Sequence, residues 1–131
     1  MEIIESILNV ITSDSSINEL ATGGIRYEHL PVDFDRSLDW IVFSYKFLNE
    51  EKVNTDSTKR IIEYALDVQI ISPDIDNVVI ISDYLYNYLT NYDDNENVRD
   101  ITMTDSDASY DLEYKVYYKT QTYNILFIRN K

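Results

Sequence analysis

The chain has 131 residues and a net charge of −13, from 11 Lys and Arg against 24 Asp and Glu. It is 44% hydrophobic, with 2 Gly, 2 Pro and no Cys, which describes one packed domain and excludes a disulfide scaffold, a thiolate zinc site and a cysteine nucleophile. So large an acidic surplus opposes broad contact with nucleic-acid phosphates or an anionic membrane.

Ile3, Ile4, Ile7, Leu8 and Ile11 form one helical face, and Glu2 and Glu5 in its first turn suit the helix dipole. The run Ser13-Asp14-Ser15-Ser16 offers caps for a second short helix, with Ile17 and Leu20 inward, ending at Gly23-Gly24. A short extended piece at 25–27 and a loop at 28–36 follow. Residues 38–48 read as a strand with Trp40, Val42, Ser44 and Lys46 on one side and Ile41, Phe43, Tyr45 and Phe47 on the other. The polar stretch 49–58 reads as the tip of a long antiparallel hairpin, with only Val53 apolar. Its return strand, 59–72, alternates with a period of two.

Ser72-Pro73-Asp74 breaks that strand and starts a helix. Its expected buried stripe is Ile75, Val78, Val79, Ser82, Leu85, Tyr86 and Leu89. Residues 91–97 read as a polar turn, 98–104 as a strand, 105–109 as a second polar turn, and 110–128 as one or two further strands. The fold class is therefore α+β: an antiparallel sheet with a long hairpin and helices packed on one face. No run of 18 apolar residues exists, so no membrane helix is expected. The acidic start of the chain does not read as a signal peptide.

Catalytic, cofactor and metal residues are all expected to be absent, and the chain is not expected to be an enzyme. The lone His29 has Asp33, Asp35 and Ser37 nearby, but nothing supplies a nucleophile elbow or an oxyanion loop. The glycine pair follows a helix, whereas a phosphate cradle precedes one. Asp105, Asp107, Ser109, Asp111 and Glu113 are spaced like calcium-loop ligands, but Tyr110 stands where such a loop needs Gly and Val116 where it needs a bidentate Glu. Tyr110, Tyr114, Tyr117, Tyr118 and Tyr123 are numerous enough for base stacking, but the basic track that stacking sheets also need is missing. Tyrosines packed against a neighbouring subunit fit better.

Taken in order, these elements resemble the phage tail-terminator family, the tail-to-head joining proteins of long-tailed bacteriophages and prophages. The likeness is one of organisation and covers nearly the whole chain, 1–131, as a single domain. It rests on the paired N-terminal helices with their glycine turn and on the Leu30-Pro31 loop. It continues through the aromatic strand Leu38-Asp39-Trp40-Ile41-Val42-Phe43-Ser44-Tyr45 and the strand Tyr64-Ala65-Leu66-Asp67-Val68-Gln69-Ile70-Ile71-Ser72. The helix ending in Leu85-Tyr86-Asn87-Tyr88-Leu89 completes it. The family typically places a proline just before the aromatic strand, where this chain has Leu38-Asp39.

The resemblance implies a ring-forming virion subunit, hexameric or else dodecameric, that caps the tail tube and joins it to a neck or head-completion protein. It implies assembly in the host cytoplasm, and genomic DNA passing through the lumen without specific binding. On that basis Asn49, Glu50, Glu51, Lys52, Val53, Asn54 and Asp56 are expected to contact an adjoining ring or the tube. Asp100, Asp105 and Asp107 are expected to face the lumen. Another neck or connector ring protein and an acidic DNA-mimic inhibitor are the alternative readings.

Overall fold

The computed structural model describes residues 4–52, 59–92 and 98–130; the side chains of Arg99, Arg129 and Asn130 lie outside that description. Helices α1 (Ile4–Ser13) and α2 (Ser15–Leu20) lead into β1 (Gly24–Tyr27), β2 (Trp40–Lys52) and β3 (Lys59–Ser72). Helix α3 (Ile75–Thr90) and strands β4 (Val98–Asp111) and β5 (Val116–Asn130) follow. Asp14 and Asp74 cap α2 and α3 through their carboxylates, each accepting a backbone N–H of the first turn.

The five strands form one sheet in the order β1-β2-β3-β5-β4. Every pairing is antiparallel except that of β1 with β2, which is parallel. The sheet is thus mixed, where an all-antiparallel one was expected. The 12-residue stretch 28–39 between β1 and β2 returns the chain to the same end of the sheet, which parallel pairing requires.

Period two decides the sheet's two faces. Ile41, Phe43, Leu66, Val68, Ile70, Tyr123, Ile125 and Phe127 point to the helices and are fully buried. Ile4, Ile7, Leu8 and Ile11 of α1 and Val78, Ile81, Leu85 and Leu89 of α3 meet them. A second, smaller core of Phe34, Trp40, Val42, Ile71 and Val116 lies at one end of the opposite face. There the 28–39 loop folds over the sheet.

A polar thread ties β5 to α3. The Tyr123 hydroxyl donates to Gln121 Oε1 at 3.1 Å, and Gln121 Nε2 donates to the Ser82 carbonyl at 3.2 Å. Burial, and then the nearby Tyr86, raise the Tyr123 pKa above its usual value of 10. Above pH 10 the native chain keeps a proton that the unfolded chain has released, so stability falls as pH rises past that point. Tyr123→Phe is expected to flatten the decline of the unfolding midpoint between pH 10 and 11, measured by circular dichroism.

Three further expectations change. Asn49, Glu50, Glu51 and Lys52 are strand residues, with Glu50 opposite Ile62 and Lys52 opposite Arg60; a bulge between Phe47 and Asn49 lets the ladder continue. Val53, Asn54 and Asp56 lie outside the described residues. Residues 105–109 are strand, not turn, and the turn falls at 112–115. In α3, Ile81 is buried while Ile75, Val79 and Tyr86 are exposed.

Candidate assembly surfaces

Asp100, Asp105 and Asp107 sit on β4, an edge strand, directly opposite Leu126, Thr122 and Thr120 of β5. Opposed residues share a face, so all three point away from the helices. Bulges at 98/100 and 103/105 keep that phase. Asp67 and Glu63 of β3 join the same face, where Thr122 Oγ1 donates to Asp67 at 2.7 Å and Asn124 Nδ2 to Glu63 at 2.6 Å. Outside the smaller core this face carries these five acids together with half-buried Ile61, Ala65, Leu126 and Ile128. Charge and bulges along β4 also keep this long edge from recruiting stray strands.

The calcium-like spacing does not produce a cation cradle. Asp105 and Asp107 each accept the N–H of the following residue, at 2.9 and 3.0 Å, on an extended backbone. No group of three or more potential metal-ligating His, Cys, Asp or Glu exists among the described residues. His29 is exposed, and Asp35 accepts both the amide and the hydroxyl of Ser37 in a local turn. Those two bonds lower the Asp35 pKa. No Ser/His/Asp relay is assembled.

Among the exposed large apolar side chains, Val10, Tyr27, Phe47 and Leu48 lie on α1, β1 and β2, and the others gather in two regions. The outer face of α3 shows Ile75, Val79, Ile80 and Tyr86, with Ile80 55% exposed. At the sheet end where the 28–39 loop meets the β4–β5 turn, Val32 is 98% and Leu112 82% exposed. Between these two, the Arg36 guanidinium lies 4.0 Å from the Tyr114 ring centre and 4.9 Å from that of Phe34. The half-buried Arg36, the buried Phe34 and the exposed Tyr114, Val32 and Leu112 bring together the residue types of protein-contact hot spots.

A further site was not legible in sequence. Asp39, only 8% exposed, accepts from Ser72 Oγ and from Asn77 Nδ2 at 3.1 Å. Its own amide donates to Thr22 Oγ1 at 2.9 Å, and its carbonyl accepts from Gly23 at 2.7 Å. One residue thereby joins the turn before β1, the start of β2, the end of β3 and the first turn of α3. The sequence signal was an acid inside an apolar run, between Leu38 and Trp40.

No protein-family model matches the sequence, and no curated protein matches it. Among solved structures, a chain in one described as "Virion of native gene transfer agent (GTA) particle" is similar, with a TM-score of 0.63 at 8% identity. The superposition covers 94% of this chain and 92% of that chain. At that identity the likeness establishes a shared fold.

Proposed function

We propose that the chain is a non-catalytic structural subunit of a phage-like virion, acting as a ring at the junction of head and tail. The observation that carries this reading is the nearly end-to-end fold likeness to a chain of a gene transfer agent particle. The order of elements, which resembles that of tail terminators, supports the finer assignment. The ring ends the tail tube, meets a neck protein on its other side and passes DNA through its lumen. The acidic sheet face suits the lumen, because a conduit must not adhere to the polyanion moving through it. Like charges repeated around a ring, within a Debye length of about 8 Å of one another, reinforce that repulsion.

Purified protein imaged in negative stain, with its mass measured in parallel, tests the reading. Closed rings of six copies, or of twelve, are expected. A species that stays monomeric at every accessible concentration would sink it. One observation favours a second reading, an acidic DNA mimic: Asp105 and Asp107 stand on one exposed face two residues apart, about 7 Å along the strand. The same mass measurement separates the two, since a mimic acts as a monomer or dimer.

A further inference from the structure

A groove of about 500 Å3 opens where β1 stops. Tyr27 is the last residue of β1, and Glu28 adopts φ 70°, a left-handed conformation that turns the chain off the sheet. Beyond Phe43, no described strand pairs with β2 on that side. Helix α1 overhangs the gap with Glu5, Leu8 and Asn9. The floor is aromatic: Tyr27 stands opposite Phe43 in the register, with Tyr45 beside them. Two carboxylates, Glu5 and Glu28, line the groove, and none of its described lining residues is Lys, Arg or His. The Tyr45 hydroxyl donates to Glu5 Oε1 at 3.4 Å.

An aromatic floor with carboxylates and no resident cation suits a long basic side chain. Its methylene stem lies along the rings while its charge meets the acids. The same chain carries that chemistry at the far end of the β2–β3 hairpin. Lys52 is directly opposite Arg60, and Lys59 adjoins them. Lys52 and Arg60 are like charges facing across the strands. Complementary features at two different places on one chain make a head-to-tail contact, which repeats and closes into a ring when the rotation allows.

We propose that the groove receives a Lys side chain from the hairpin end of a neighbouring copy, the cation meeting Glu5 and Glu28. This rests on the assembly reading above and names the two surfaces that would join. The test uses two double variants of the full chain, E5Q/E28Q and K52E/K59E, with folding checked by circular dichroism. Each is expected to raise the concentration for half-assembly about tenfold or more, read by native mass spectrometry. Mixed in equal amounts, they are expected to form heterodimers and stop there, because each pair keeps one competent contact and exposes two disabled surfaces. Folded variants that assemble like the parent, or a mixture that gives complete rings or no heterodimer, would overturn the groove assignment and leave the ring reading standing. A parent chain that never assembles would overturn both.

Discussion

Gly23→Ala is expected to destabilise the fold by about 3 kcal/mol, which lowers the thermal midpoint by roughly 10 °C. A Cβ built at Gly23 falls inside the Trp40 indole, 2.6 Å from Cδ2 and 2.7 Å from Nε1. The indole cannot step aside. Its Nε1 donates to the Asp35 carbonyl at 2.8 Å, Phe34 packs edge-on at 6.2 Å, and Arg26 lies over the ring at 5.7 Å. Nor is the glycine free to retreat, because its amide donates to the Asp39 carbonyl at 2.7 Å. The neighbouring glycine gives a control with a different cause. Gly24 has φ 124° but leaves 3.8 Å to Trp40, so Gly24→Ala meets backbone strain without a clash and is expected to cost about 1 kcal/mol. Two equal melting curves would refute the steric account.

Asp39→Ala should cost about 2–3 kcal/mol, for an opposite reason: it removes atoms that buried groups need. Ser72 Oγ and Asn77 Nδ2 lose their acceptor, and Ser72 is fully buried. Asp39→Asn keeps the shape and one acceptor oxygen, so about half the loss is expected. Chemical denaturation of the three proteins checks the order parent, Asn, Ala. An Ala variant as stable as the parent would mean that the four joined segments are held by packing alone.

Where one face of an element is buried and the other wet, its residues predicted it well. The alternation in β3 and the stripe of α1 both match their burial. In α3 the expected stripe has the right phase, with Val78, Ser82, Leu85 and Leu89 buried. It includes the exposed Ile75, Val79 and Tyr86 and omits Ile81, because Ile75, Val78, Val79, Ile80 and Ile81 crowd the first two turns. With apolar residues almost all round, periodicity cannot choose which to bury, and packing against β3 and β5 decides. Residues 105–109 looked like a turn because Asp and Ser disfavour strands. An edge strand with a solvated face tolerates them. The parallel pairing of β1 depends on a non-local return that no local pattern encodes. The groove joins Glu5 to Glu28 from separate elements, and only the fold brings them together.

The strand order also constrains how the molecule is made. β5, last of the five in the chain, lies inside the sheet between β3 and β4. Its partners in β3 run from Lys59 opposite Asn130 to Ser72 opposite Tyr117, so α3 and β4 lie within the loop that this pairing closes. Hairpins β2–β3 and β4–β5 join near neighbours and can form early, whereas their union is the slow, high-contact-order step. Until β5 has been synthesised, the emerging chain exposes one flank of β3 and the apolar stripe of α3, and it needs protection from aggregation for that interval.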